Sequence, residues 1–150
     1  MKIELATIQD VPALLDLQHK AFGPLCLELE WDDAPVLSES LEHLYEQFSQ
    51  CTTLKVENEE GQIIGSVNGK VTDGSLYIGR LMVVPKYQQQ GIGKCLFLEI
   101  QSRLPHRRAW LCTCLQIRPP YDFYLREGFK PYKSEIVGPG LTWVYMEKNK

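Results

Sequence analysis

The chain has 150 residues, of which 44% are hydrophobic and 23% charged, and this composition is typical of one globular domain. It excludes a collagen, a disordered tail and a disulfide scaffold. No apolar run approaches the roughly 20 residues that span a bilayer, and the first residues lack a signal-peptide pattern. We therefore expect residues 1–150 to form a single cytoplasmic domain without a membrane segment.

The net charge of −3 hides an asymmetry along the chain. Residues 1–60 hold three basic and thirteen acidic residues, a net charge of −10, whereas residues 61–150 hold thirteen basic and six acidic residues, a net charge of +7. A basic zone within an acidic protein argues against general nucleic-acid binding and fits a compact anionic ligand better. Ordinary solvated surface charge explains this count equally well.

The five cysteines show no paired C-x-x-C spacing, and the three histidines are isolated in the sequence. We interpret the cysteines as small apolar residues of a protein in a reducing compartment, and we expect no metal site. The residues concerned are Cys26, Cys51, Cys95, Cys112 and Cys114, with His19, His43 and His106.

The first third of the chain predicts a strand and two helices. A strand over residues 2–6 precedes a helix that Asp10 would cap and that would end at Ala21. An irregular acidic segment follows over residues 23–35, and Ser38 would cap the second helix. The predicted buried stripe of the first helix consists of Val11, Leu14, Leu15 and Phe22.

The rest of the chain alternates predicted strands with two further helices, which indicates a mixed α/β sheet with helices on its faces. The full predicted order is β-α-α-β-β-β-α-β-α-β-β. Strands are predicted over residues 52–57, 63–71, 76–84, 109–115, 129–133 and 141–146, and helices over residues 91–104 and 119–127.

The most informative segment covers residues 81–94, where a strand runs out, a loop turns and two glycines open an amphipathic helix. The first N–H groups of a helix are unpaired, and glycines let a phosphate approach them, so this segment predicts an anion cradle flanked by Lys86 and Lys94. The dinucleotide pattern G-x-G-x-x-G fails at Leu96. The P-loop pattern fails at Gln88 and at Cys95.

What remains is Gln88-x-x-Gly91-x-Gly93 behind a strand that ends in Val83-Val84-Pro85. This segment resembles the signature [RQ]-x-x-G-x-[GA] of the GNAT superfamily of N-acetyltransferases. A second segment, Tyr124-x-x-x-Gly128-Phe129, looks like the Y-x-x-x-G-F of the same family. The element order agrees, so the resemblance covers essentially the whole chain. It implies an acyl-CoA N-acyltransferase fold with a central, mostly antiparallel sheet and helices on both faces.

The resemblance implies that acetyl-coenzyme A is the cosubstrate. Its pyrophosphate would lie on backbone N–H groups of residues 89–94, and its pantetheine arm would pair with the strand at residues 81–83. An N–H of Met82 or Val83 would hold the oxyanion that develops from the thioester carbonyl. Arg103, Arg107 or Arg108 could reach the ribose phosphate, although solvated surface explains each of them better. The expected cofactor-binding residues are Leu81, Met82, Val83, Gln88, Gln89, Gln90, Gly91, Ile92, Gly93 and Lys94.

By the same resemblance, Tyr124 is the candidate general acid that protonates the departing thiolate. The alternative is a tyrosine that only packs against the cofactor or hydrogen-bonds to its sulfur. The position of Tyr121, one turn earlier, does not match the motif. The base is open, and the candidates lie in the segment that usually borders the acceptor site in the family. They are Glu28 and Glu30, together with Asp32, Asp33 and Tyr77.

The resemblance therefore implies direct transfer of an acetyl group to a primary amine of a small molecule or a peptide. A non-catalytic acyl-CoA sensor on the same fold is the alternative. Ile117 departs from the family pattern, because many members have an asparagine at that position. Trp143 and Tyr145 could pair with a second copy of the chain in a homodimer, and packing within the chain explains them equally well.

Overall fold

The computed structural model describes residues 1–31 and 33–150, and within them seven strands form one sheet in the order β1-β2-β3-β4-β5-β7-β6. The pairing of β4 with β5 is parallel, and the other five neighbouring pairs are antiparallel. The predicted mixed, mostly antiparallel sheet is thus confirmed. The strands are β1 (Ile3–Leu5), β2 (Thr52–Glu57), β3 (Ile63–Thr72), β4 (Ser75–Val83), β5 (Arg108–Cys114), β6 (Lys130–Gly138) and β7 (Leu141–Asn149).

Helices cover both faces of this sheet. The helices are α1 (Val11–Glu28), α2 (Pro35–Ser38), α3 (Leu41–Gln50), α4 (Ile92–Arg103) and α5 (Arg118–Arg126). One hydrophobic cluster lies between the sheet and α4 and includes Phe97 and Phe129. A second cluster lies between the opposite face and α1, with Leu14 and Met82 among its members. None of the described helices is long and apolar enough to cross a membrane.

The first helix is longer than predicted, because α1 continues past Ala21 through Pro24 to Glu28. A proline inside a helix removes one backbone hydrogen bond and costs about 3 kcal/mol. Burial continues beyond the proline, since Cys26 is buried on the same helix. Tertiary packing therefore outweighs the local preference. The predicted stripe is correct in Val11 and Leu14, whereas Leu17 and Ala21 are buried more deeply than Leu15 and Phe22.

Asp10 stands at the N-cap position of α1 as predicted, although its side chain makes no capping hydrogen bond, whereas the predicted cap Ser38 is wrong. The Asp10 carboxylate accepts a hydrogen bond from the Thr7 N–H at 2.7 Å and pairs with Lys55 Nζ at 2.9 Å, so it does not cap α1. Ser38 belongs to the short helix α2, which the sequence did not predict. The cap of α3 is Ser40, whose Oγ accepts from the His43 N–H at 3.1 Å.

The last two strands extend well beyond their predicted ends, to Gly138 and Asn149. Residues 130–136 of β6 are all exposed, so their side chains carry no alternation that would reveal a strand. Backbone pairing with β7 along nearly its full length decides the conformation instead.

Candidate active site

The site is built around a gap in the sheet. Residues 75–77 of β4 pair with residues 108–110 of β5, and beyond Tyr77 and Trp110 the two strands have no paired positions in the part of the chain that the structure describes. Instead, β5 stays paired with β7 up to Cys114. The edge of β4 from residue 78 onwards therefore faces an opening, in which backbone groups can pair with something other than β5.

A bulge in β4 shapes this edge. The register with β3 shifts between Ser66 and Asn68, and Arg80 in the bulge has a φ of +51°. After the bulge, the N–H of Val84 donates to the carbonyl of Ile64 at 2.9 Å, across to β3. Because successive N–H groups of a strand point to opposite edges, the N–H of Val83 faces the opening. Of the two backbone candidates for the oxyanion, this geometry favours Val83 over Met82.

The predicted anion cradle lies where β4 leads into α4. Gln89 and Gly91 both have left-handed backbone conformations, with φ values of +63° and +84°. The first hydrogen bond of α4 runs from the N–H of Cys95 to the carbonyl of Gly91 at 3.0 Å. The N–H groups that precede Cys95 in the first turn therefore point out of the helix, where they can bind an anion.

The space in front of these donors is open. A Cβ atom on Gly91 would meet no atom within 4 Å, and one on Gly93 would meet only Val83 Cγ2, at an ordinary contact distance of 3.7 Å. The backbone conformation requires glycine at position 91, but packing within the chain does not require it at position 93. An unfilled cradle of this kind fits a phosphate group that approaches the backbone closely.

Side chains hold the cradle loop in place. The carboxamide of Gln88 donates to the carbonyl of Val83 at 2.9 Å, and Asn58 Nδ2 donates to the hydroxyl of Tyr87 at 3.3 Å. Two lysines add positive charge. Lys94 Nζ lies 3.7 Å from a carboxylate oxygen of Glu127, and Lys86 Nζ lies 5.7 Å from the ring centroid of Tyr87. These contacts join the loop to β4 and to the turn between β2 and β3.

Tyr124 lies on α5, with its ring 5.4 Å from the ring of Phe97 between centroids. Burial raises the pKa of Tyr124 well above its usual range, and the neighbouring Cys112 and Tyr77 add to this rise. The phenol therefore keeps its proton at neutral pH, as a general acid must. Burial likewise raises the pKa of Tyr77 to about 12, with a smaller contribution from Cys112. Tyr77 is for that reason unsuited to act as the base.

The acidic segment lies beside β7, because the ring of Trp31 packs edge-on against the ring of Trp143 at 5.7 Å. Glu28 is the last residue of α1, and Glu30 follows it with a φ of +57°; both side chains are exposed, as is that of Asp33. Among the described residues, none of these carboxylates is hydrogen-bonded to Tyr124, and the fourth candidate, Asp32, lies outside them. The geometry singles out no base.

Three arginines that could reach a ribose phosphate have other partners. Arg103 pairs with Glu99 at 2.7 Å and lies at the end of α4 opposite to the cradle. Arg108 pairs with Glu147 at 2.6 Å. Arg107 donates to the carbonyl of Asp73 at 2.8 Å. The structure therefore adds no support for a role of these arginines at the cofactor.

Sequence reasoning missed a cluster of polar side chains beneath the β4 bulge, which we call the Arg80 cluster: Gln18, Glu39, His43 and Arg80. Arg80 Nη2 donates to Glu39 Oε2 at 2.9 Å, and Nη1 contacts the other carboxylate oxygen. Gln18 accepts from Arg80 at 3.0 Å and donates to Glu39 at 2.9 Å. His43 Nδ1 lies against Glu39 Oε2. The only sequence signal is an arginine within an otherwise apolar strand.

The Glu39 carboxylate is charged inside this cluster. Burial by itself would raise its pKa, but hydrogen bonds from Arg80 and Gln18 and the charge of Arg80 outweigh burial and lower the pKa to about 2. Only 5% of the Glu39 side chain is exposed, so solvent weakens these interactions little.

The element order, the parted strand pair and the glycine-lined start of α4 together define an acetyltransferase fold. The chain belongs to the GNAT acetyltransferase family, since the family model described as "Acetyltransferase (GNAT) domain" matches residues 30–150. No curated protein sequence matches the chain.

Solved structures of similar fold cover nearly all of the chain. The PaiA N-acetyltransferase from Thermoplasma acidophilum, in complex with coenzyme A, superimposes with a TM-score of 0.81 at 22% identity and covers 100% of both chains. The ribosomal-protein-S18-alanine N-acetyltransferase from Escherichia coli gives a TM-score of 0.80 at 16% identity, over 99% of this chain and 92% of that one. An aminoglycoside 6'-N-acetyltransferase complexed with coenzyme A gives 0.74 at 16% identity, over 99% and 97%. At these identities the likeness shows the fold alone.

The Arg80 cluster makes the stability of the protein depend on pH in a defined direction. The pKa of Glu39 is lower in the folded state than its ordinary value of 4.5, so its contribution is complete above pH 4.5 and is lost as the pH falls towards 2. We expect Glu39→Gln to lower the free energy of unfolding by up to about 3 kcal/mol at pH 7 and by much less near pH 2. Urea unfolding across this pH range measures the difference.

The matched control is Glu42→Gln, which removes an exposed carboxylate from the first turn of α3. This variant should stay within about 0.5 kcal/mol of the parent protein at every pH. An equal effect of Glu39→Gln at pH 7 and near pH 2 would show that the ionised carboxylate does not stabilise the fold.

Proposed function

We propose that this protein transfers the acetyl group of acetyl-coenzyme A to a primary amine, on a small molecule or a peptide, by direct transfer in a ternary complex. The observation that carries the proposal is the open, glycine-lined cradle at the start of α4, directly beside the free edge of β4. Two of the similar solved structures contain coenzyme A. The five free cysteines suit a protein of a reducing cytoplasm.

Two parts of coenzyme A have a candidate binding site on this chain, the diphosphate and the pantetheine arm. The N–H groups of residues 89–94 would bind the diphosphate, with Lys86 and Lys94 supplying positive charge. The free edge of β4, at Leu81 and Val83, would pair with the pantetheine arm as an additional strand would. When bound, acetyl-coenzyme A supplies an activated acyl group in the form of a thioester.

The residues around the opening have distinct tasks. The N–H of Val83 would hydrogen-bond to the acyl carbonyl oxygen and stabilise the negative charge that grows there as the amine attacks. A C–N bond forms and the C–S bond breaks, and Tyr124 gives its proton to the leaving sulfur. No cysteine nucleophile is needed for this direct transfer.

The amine has to lose a proton before it attacks, because an alkyl ammonium ion has a pKa of about 10. We assign the removal of this proton to the acidic segment, with Glu28 and Glu30 as the candidate bases acting through water. The same carboxylates would attract a cationic acceptor. A cleft of about 250 Å³, lined by Lys70, Thr72, Ser75, Tyr77 and Trp110, lies along the paired stretch of β4 and β5, and we do not assign it to the acceptor.

Binding of acetyl-coenzyme A tests the proposal first. Calorimetric titration and thermal unfolding should show selective binding and stabilisation by acetyl-coenzyme A and coenzyme A, whereas NAD and ATP should have no such effect. A screen of amines for thiol release would then identify the acceptor class. Absence of coenzyme A binding at millimolar concentration would overturn the proposal. Binding without transfer to any amine would favour an acyl-CoA sensor.

Gly93→Asp tests the cradle directly. A carboxylate in the first turn of α4 favours the helix dipole and meets no steric obstacle, but it repels a diphosphate. We expect the free protein to unfold at an unchanged or higher temperature, while the affinity for coenzyme A falls at least about tenfold. The control Leu98→Glu places the same charge on an exposed position of the same helix. Equal effects of both variants on affinity would argue against a diphosphate at the cradle.

Tyr124→Phe tests the proton donor. Because the hydroxyl is removed and the ring stays, the dissociation constant of acetyl-coenzyme A should remain within about twofold, while kcat falls about 100-fold or more. Tyr121→Phe, on the same helix, should change kcat little. Full activity of Tyr124→Phe would show that the tyrosine only packs against the site.

A further inference from the structure

Arg80 lies in β4 and has an unusual backbone conformation for a strand residue. Its φ of +51° is a left-handed conformation, which is strained for a residue with a side chain relative to the ordinary strand conformation. A glycine would adopt this conformation without that strain. The bulge therefore persists because some interaction of the Arg80 side chain compensates for the strain.

The compensating interactions come from two separate helical segments. Glu39, between α2 and α3, binds the guanidinium of Arg80 through both carboxylate oxygens. Gln18, on α1, accepts from the same guanidinium and is itself fixed, since its Nε2 donates to Glu39 and to the carbonyl of Val36 at 3.0 Å. Only 1% of Gln18 is exposed. A planar guanidinium held in this way leaves Arg80 little freedom to move.

The packing between the β4 bulge and α1 leaves a small gap. A small cavity of about 10 Å³ lies between the sheet and α1, and Arg80, Gln18 and Ser66 are among its lining residues. Ser66, which pairs with Met82 just beyond the bulge, has a buried hydroxyl without a hydrogen-bond partner among the described residues. The side-chain hydrogen bonds of Arg80 therefore stabilise the bulge in addition to the apolar packing of Met82.

The bulge determines which backbone N–H groups of β4 face the opening between β4 and β5. It shifts the register with β3 before Met82, and the N–H of Val83 then faces the opening between β4 and β5. If the bulge relaxed to a regular strand, the register would move by one residue and Val83 would turn its N–H towards β3. A side chain that fixes the bulge therefore also fixes the direction of the proposed oxyanion donor.

We infer that Arg80 is a positioning residue for acetyl transfer: its guanidinium, held by Glu39 and Gln18, fixes the β4 bulge that aims the Val83 N–H at the acyl carbonyl. This inference rests on the proposed function, since it concerns the same site. Arg80 acts through the backbone, so its loss should weaken carbonyl activation much more than cofactor binding.

The test measures the polarisation of the carbonyl itself, which requires no knowledge of the acceptor. Acetyl-coenzyme A labelled with ¹³C at the acetyl carbonyl is bound to the protein. Difference infrared spectroscopy then compares the C=O stretching frequency of the bound thioester with that of the free thioester. A hydrogen bond from Val83 should lower the frequency on the parent protein. In Arg80→Ala we expect most of this lowering to disappear, with the dissociation constant changed less than about threefold. Arg80→Gly adopts the left-handed conformation without strain, so it should lose less of the lowering than Arg80→Ala. Arg80→Lys, which keeps one charge but not the planar fork, should retain part of it.

A second substitution keeps the inference falsifiable if the alanine variant folds poorly. Arg80→Lys keeps the strained backbone position but loses the planar fork that Glu39 and Gln18 bind, so a full frequency shift in this variant would overturn the inference. The matched control is Arg108→Ala, which breaks an arginine–carboxylate pair elsewhere in the same sheet and should leave the shift intact. An equal loss in Arg108→Ala would also overturn it, because the effect would then be a general consequence of lower stability.

The outcomes separate the inference from the proposed function. If the parent protein does not bind acetyl-coenzyme A, the proposed function fails and takes the inference with it. If the parent protein binds and polarises the carbonyl but the Arg80 variants do so equally well, only the inference fails. Where an acceptor has been found, kcat in Arg80→Ala should fall about 10-fold or more while KM for acetyl-coenzyme A stays nearly constant.

Discussion

The structure depends on one constraint on strand pairing: β5 stays paired with β7 along its whole length, while β4 turns away from β5 after residue 77. A sheet that simply continued would leave no free backbone edge in its interior. Because the strands part, the edge of β4 offers backbone groups that are not paired with β5 within the sheet. An extended ligand can pair with that edge as a missing strand would. The bulge lies on this edge, and the cradle follows β4 directly in the chain.

The two parts of the sequence with opposite net charge contribute different parts of the candidate site. The basic second part of the sequence supplies the cradle, with Lys86 and Lys94, whereas the acidic first part supplies the segment around Glu28 and Glu30 that lies beside β7. Under the proposed function, an anionic cofactor would be attracted to the basic part and a cationic acceptor to the acidic part.

Features that depend on a short stretch of sequence were predictable, and features that depend on distant contacts were not. The cradle could be predicted from residues 88–94 alone. The first turn of a helix has unpaired N–H groups, and two glycines there leave room for a phosphate. The Arg80 cluster joins residues 18, 39 and 80, which no spacing rule connects, and only a lone arginine in an apolar strand hinted at it. Likewise, the predicted end of the first helix at Ala21 is overridden by packing that buries Cys26, and the exposed strand β6 had no hydrophobic pattern to reveal it.

The two proposed tasks of the site, binding a diphosphate and orienting the Val83 N–H, differ in the same way in how far they depend on distant contacts. Donors for a diphosphate come from the local backbone of one loop and one helix, so they tolerate change elsewhere in the protein as long as α4 stays folded. Under the inference above, the direction of the Val83 N–H depends on a strained residue whose side chain is held by Gln18 of α1, 62 residues away in sequence, and by Glu39 before α3, 41 residues away. The segments that hold Arg80 belong to the same helical layer as the acidic segment. Glu39 and Gln18 therefore connect this helical layer to the β4 bulge, whereas the cradle loop is connected to β4 and to the turn between β2 and β3 by Gln88 and Asn58.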